Sequence, residues 1–176
     1  PNDGFYTETL DILSSEQEMR VESALAAYKQ ATGDTIAILV TQSMSGFTLA
    51  DAAAATGERW KLQTGSGRDI LILAALEDHD EVIMAGTALQ EILSGEVMSG
   101  IIQTDIQPSF QKGRYEDGLM AAVDALQKHV GGQYTALRYE ERGGAGFFRA
   151  LLVLVLVVIQ YLVARVLWHK RWWAGA

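Results

Sequence analysis

Asp69-Ile-Leu-Ile-Leu-Ala-Ala-Leu76, the acidic link Glu77-Asp-His-Asp80 and then Glu81-Val-Ile-Met-Ala85 form the stretch that decides the fold. Both apolar runs have the length of strands, and a link this short cannot hold a crossover helix, which needs about a dozen residues. The two runs therefore pair as an antiparallel hairpin. Upstream, Thr35-Ile-Ala-Ile-Leu-Val-Thr41 is a β-branched run that is almost continuously apolar, the pattern of a strand buried on both faces.

Helical spacing fills the intervals. Ser15-Glu-Gln-Glu18 resembles a capping box, and the helix it opens is expected to run to about Ala31, with Val21, Leu25 and Tyr28 on one stripe and Gly33 just past its end. Thr48 to Glu58 is alanine-rich and reads as a second helix ahead of Trp60. Helix alternating with strand makes an α/β domain, and the hairpin makes its sheet mixed. Beyond the hairpin, Ala88 to Leu93 and Val97 to Asp105 read as helical, Pro108 as a boundary, and Tyr115, Leu119, Ala122, Leu126 and Val130 as the face of a last helix stopped by Gly131-Gly132.

At 176 residues the chain has room for one ordinary domain and a little more, and an apolar fraction of 49% excludes general disorder. The absence of cysteine removes disulfides, thiol nucleophiles and zinc–cysteine sites from consideration. Charge is divided unevenly. Up to Arg142 there are 22 acidic against 10 basic residues, a net charge of −12, while the rest of the chain carries Arg149, Arg165, Lys170 and Arg171 and no acid. So acidic a domain repels phosphate backbones, and nucleic acid is not an expected partner.

Phe147 to Trp168 is a 22-residue run with Arg149 and Arg165 near its ends and Gln160 as its one uncharged polar residue. As a helix it would be about 33 Å long, enough to cross a hydrocarbon core of about 30 Å. The arginines can snorkel to the headgroups, and Tyr161, Trp168, Trp172 and Trp173 suit an interfacial aromatic belt. The expected organisation is an acidic domain over residues 1–142, a glycine-rich joint at 143–146, a transmembrane helix at 147–168 and a short basic, aromatic tail at 169–176. Gln160 would either hydrogen-bond a partner helix or stand as one tolerated polar residue. Flanking charges balance and give no orientation. A chain opening on Pro1, as after removal of a targeting segment, favours a domain on the periplasmic, extracytoplasmic or lumenal side and a cytoplasmic C-terminus.

The run Ile101-Ile-Gln-Thr-Asp-Ile-Gln-Pro108-Ser-Phe110-Gln-Lys-Gly113-Arg-Tyr115-Glu-Asp-Gly118-Leu119 resembles the closing pattern of the TPM domain family, known from thylakoid-lumen, photosystem II repair and receptor-accessory proteins. Leu13-Ser14 with Glu16, Thr32-Gly-Asp-Thr-Ile-Ala37, and Trp60 ahead of a glycine-rich link support it, over roughly residues 9–130. The resemblance implies a three-layer α/β/α sandwich with a mixed central sheet, placed outside the cytoplasm. It also brings two activities reported within the family, calcium binding and acid phosphatase chemistry. Here Gly67-Arg68-Asp69 stands where the family has Asp-Asn-Gly, and Gly86-Thr-Ala-Leu-Gln90 where it has Gly-Tyr-Gly-Leu-Glu, so several acidic groups are missing.

Asp78-His79-Asp80-Glu81 could offer oxygens to a divalent ion, but neighbours on a turn seldom converge on one cation, and a solvated hairpin tip is the preferred reading. Thr64-Gly-Ser-Gly-Arg68 lacks a P-loop lysine and precedes a strand, so it reads as a loop. No nucleophile elbow or catalytic triad is evident, and no catalytic residue or cofactor is assigned. The expectation is a non-enzymatic accessory subunit of a larger membrane complex, photosynthetic or electron-transport by family analogy. It would contact integral membrane subunits and the bilayer through Gln160, Tyr161, Trp168, Trp172 and Trp173. The second reading is a membrane-tethered phosphatase or calcium-binding domain resting on Asp69, Asp78 and Asp80.

Overall fold

The computed structural model describes residues 4–44, 46–62, 67–134 and Gln160. Its elements run β1 (Tyr6–Glu8), α1 (Ser15–Thr32), β2 (Ile36–Thr41), α2 (Leu49–Arg59), β3 (Ile70–Ala75), β4 (Asp80–Ala85), α3 (Gly95–Ile101), α4 (Gln107–Phe110) and α5 (Tyr115–Val130). One mixed sheet has the order β1-β2-β3-β4. β1, β2 and β3 are parallel, with Ile36 opposite Ile70 and Thr41 opposite Ala75, and β4 returns antiparallel, with Ile70 opposite Ala85 and Ala75 opposite Asp80. The hairpin read from the short acidic link is present.

Side-chain alternation sorts the core. Ala37, Leu71 and Leu73 pack on Ala53 of α2, with Leu39, Leu49, Val82 and Met84 around them. Ile36, Ile38, Val40, Ile70 and Ile72 alternate with that set along their strands and are also fully buried. α1 contacts β1 and β2, α3 contacts β4, and both helices pack on α5. The α1 start lies one residue earlier than the sequence suggests: Ser14 is the cap, and its side chain and that of Gln17 bond each other's backbone N–H reciprocally. β1, too short to announce itself, is held to α1 by Glu22, whose carboxylate accepts the N–H of Phe5 at 2.7 Å and of Tyr6 at 2.8 Å.

Two expectations fail. Of the predicted helix at 88–93 only Ala88 and Leu89 are helical, in a single 3₁₀ turn over Thr87–Leu89. Pro108 is not a boundary: the backbone stays helical from Gly95 to Phe110, passing from α3 into α4 through a π turn at Ile102–Ile106. Proline removes an N–H and crowds the preceding turn, and a wider turn, in which Gln107 N–H reaches Ile102 O, gives its ring room.

At the amino end of β3 the backbone is crowded. Gly67 has φ +68°, and a Cβ on Gly86 would lie 2.3 Å from the Gly67 carbonyl oxygen, so the chain entering β3 and the chain leaving β4 touch backbone to backbone.

Candidate functional site

Ligands of open α/β sheets bind beyond the carboxyl ends of the parallel strands. There the chain leaves β2 through Gln42, Ser43 and Met44 and leaves β3 through Leu76 to His79. His79 takes φ +51°, the left-handed residue that closes the turn. The Asp78 carboxylate accepts the Ser43 hydroxyl at 3.1 Å and the Met44 N–H at 2.8 Å, and Glu77 accepts the Gln42 amide at 2.6 Å. Acidic residues at the tip thus tie β3 to the loop after β2.

Alternation along the hairpin distributes its polar groups between two recesses. Asp78 and Asp80 border one of about 290 Å³, together with Ser43, Thr48 and Phe47, a residue 73% exposed. His79 and Glu81 border a larger one, about 580 Å³, with Leu76, Gln107, Phe110 and Tyr115. In it the Gln107 amide donates to Glu81 at 3.0 Å, and the Phe110 and Tyr115 rings meet edge to face, 5.2 Å apart at 80°.

The amino end holds a different arrangement. Arg68 donates through Nε and Nη2 to the two oxygens of Asp34, at 2.7 and 2.8 Å, and the Asp34 side chain is only 4% exposed. That bidentate bond raises the Arg68 pKa above its ordinary value. Burial first, and the Asp34 charge second, raise the pKa of neighbouring Tyr28.

The three carboxylates proposed as a cation set do not converge. Asp69 precedes β3, and Asp78 and Asp80 lie past its other end, a strand length of about 20 Å away. Among the described residues no three His, Cys, Asp or Glu side chains form a metal-holding group. Of the predicted membrane contacts, Gln160 is helical and exposed. Tyr161, Trp168, Trp172, Trp173 and the rest of the span at 147–168 lie outside the described residues. Among the described residues no helix is long and apolar enough to cross a membrane.

Residues 7–129 match the profile of the TPM domain. The chain belongs to the TPM domain family. No curated protein sequence matches it. Among solved structures it is similar to the N-terminal domain of a P. gingivalis protein, at 23% identity and a TM-score of 0.67 over 73% of this chain and 83% of that one. A protein of the psychrophilic bacterium Bizionia argentinensis aligns at 19% identity and 0.62, over 72% of this chain and 87% of that one. The N-terminal domain of a Corynebacterium glutamicum protein aligns at 13% and 0.57, over 72% and 79% respectively. At such identities the likeness is one of fold.

The TPM pattern between Ile101 and Leu119 acquires physical reasons. Ile101, just before the π turn, and Ile106, its last residue, are fully buried. Gly113, at φ +69°, ends the helical run with its N–H on Phe110 O. Gly118 clears space for a ring, since a Cβ there would lie 2.8 Å from the Phe110 side chain and 3.1 Å from Ile106 O. The motif therefore builds one wall of the larger recess. Sequence reasoning placed Pro108, Phe110 and Tyr115 in the TPM pattern and missed that recess, because Glu81 and Gln107 are 26 residues apart.

Proposed function

We propose that this TPM protein is a non-enzymatic accessory subunit of a larger membrane complex. Its three-layer α/β/α domain docks on the extracytoplasmic face, and a helix at 147–168 anchors it. The observation that carries this reading is the way the chain spends its buried and turn carboxylates on itself. Arg68 fills the place beside Asp34 that a cation would need, and Ser43 and Met44 occupy Asp78. The remaining distinctive groups are surface ones, Phe47 foremost. Photosynthetic or electron-transport assemblies are the favoured hosts by family analogy alone.

Mild-detergent purification from native membranes through a C-terminal tag, followed by mass spectrometry, tests this. A stoichiometric set of membrane subunits is the expected result, and Gln160→Leu should weaken their recovery. A chain that emerges alone refutes the proposal. A second reading, a tethered phosphatase or calcium-binding domain, draws support from Asp78 and Asp80 bordering a recess at the carboxyl end of the strands. Calcium titration and phosphate-ester hydrolysis by the purified chain would reveal it.

A further inference from the structure

The larger recess brings a carboxylate, an amide and two aromatic rings to one lining. Glu81 supplies a carboxylate with about four acceptor positions, one of them taken by the Gln107 amide. That bond fixes the carboxylate's orientation and leaves acceptor positions free. Phe110 and Tyr115 stand beside it at 80° to one another, and Leu76 adds an apolar wall. Among the described residues no lysine or arginine lines the recess, and its one imidazole is that of His79. A carboxylate next to aromatic rings favours an organic cation, because ring faces attract positive charge while the carboxylate binds its N–H donors. An apolar wall suits the methylene stem of a long basic side chain. About 580 Å³ accommodates such a side chain, and the net charge of −12 up to Arg142 concentrates cations at the surface.

We infer that this recess receives a lysine or arginine side chain presented by the partner on which the domain docks. The inference deepens the accessory-subunit reading and rests on it for the source of the side chain. The smaller recess carries no equal case, because its Asp78 is already bonded to Ser43 and Met44.

Titration of the detergent-solubilised full chain with Nα-acetyl-lysine methylamide and Nα-acetyl-arginine methylamide, followed by calorimetry and amide NMR shifts, tests the recess directly. Saturable binding with shifts confined to residues 76–81 and 107–115 is expected. The neutral norleucine analogue should bind at least about tenfold more weakly, as should the cations to Glu81→Gln. Tyr115→Leu should cost about threefold. Added salt should weaken binding by the wild type and leave norleucine unaffected. Equal binding of norleucine, or no saturable shift, overturns the inference. Tighter binding of putrescine than of either amino-acid derivative assigns the site to a free amine and overturns the partner. Glu81→Gln is nearly isosteric, and an unchanged melting temperature separates lost binding from lost folding. Co-purification with Glu81→Gln distinguishes the two levels. If wild type and variant both emerge alone, the accessory reading fails while the titration still decides the recess. If both retain the same partners, docking stands and the recess has no part in it.

Discussion

The two ends of the central strands treat charge in opposite ways. At the amino end Asp34 is withdrawn from water and locked by the Nε and Nη2 donors of one guanidinium, beside a backbone contact at Gly67 and Gly86 that leaves no room for a side chain. At the carboxyl end the acids are exposed, bonded to hydroxyl, amide and backbone donors of the next loop, and flanked by open recesses. One end is closed, the other open to solvent. A carboxylate near solvent keeps most of its hydration whether or not a neighbour donates to it. A buried one depends entirely on its partner.

The contrast breaks most readily at Arg68. Arg68→Ala strands a buried carboxylate and should cost about 3 kcal/mol, somewhat below the extreme for buried pairs because Arg68 itself reaches water. Urea denaturation measures it, and Asp34→Asn in the same chain should recover part of the loss. Gly118→Ala drives a methyl into the Phe110 ring and should cost about 2 kcal/mol, read in the same way. At the open end Asp78→Ala removes bonds that water can replace, so a loss of about 1 kcal/mol or less is expected. A larger loss there than at Arg68 would erase the distinction between the two ends.

The smallest effect concerns acid. Arg20, by hydrogen bonding, holds the Glu116 carboxyl below its ordinary pKa and links α1 to α5 through contacts of 2.6 and 3.0 Å. A depressed folded-state pKa stabilises above the unfolded value and ceases to do so as pH falls through the folded one. Melting temperatures of Glu116→Gln should therefore converge with wild type below the ordinary carboxylate range and fall slightly behind it at neutral pH.

The open end was more legible in the sequence than the closed one. A hairpin announces itself because its link is too short for anything else, and helices announce themselves by spacing. Both are local signals. The Asp34–Arg68 pair spans 34 residues, and no local pattern says which acid an arginine will find. β1 was invisible for the same reason: Tyr6–Glu8 has no apolar run, and what fixes it is Glu22 on the helix that follows. Pro108 misled because its usual meaning, an end to the helix, is overridden by a wider turn immediately before it. Asp69, Asp78 and Asp80 looked like one set only because β3 is short when written out, though it is long when extended.

That wider turn makes the larger recess a matter of counting as well as of chemistry. A π turn holds one residue more than an α-helical path between the same neighbours would need. Each residue advances a helix by about 100°. Deleting a single residue between Ile102 and Ile106 would take away the room the wider turn gives the Pro108 ring, and it would rotate one flank of the run against the other by that angle. With α3 held against the sheet, Gln107 and Phe110 would swing away from Glu81, even though neither residue had been touched.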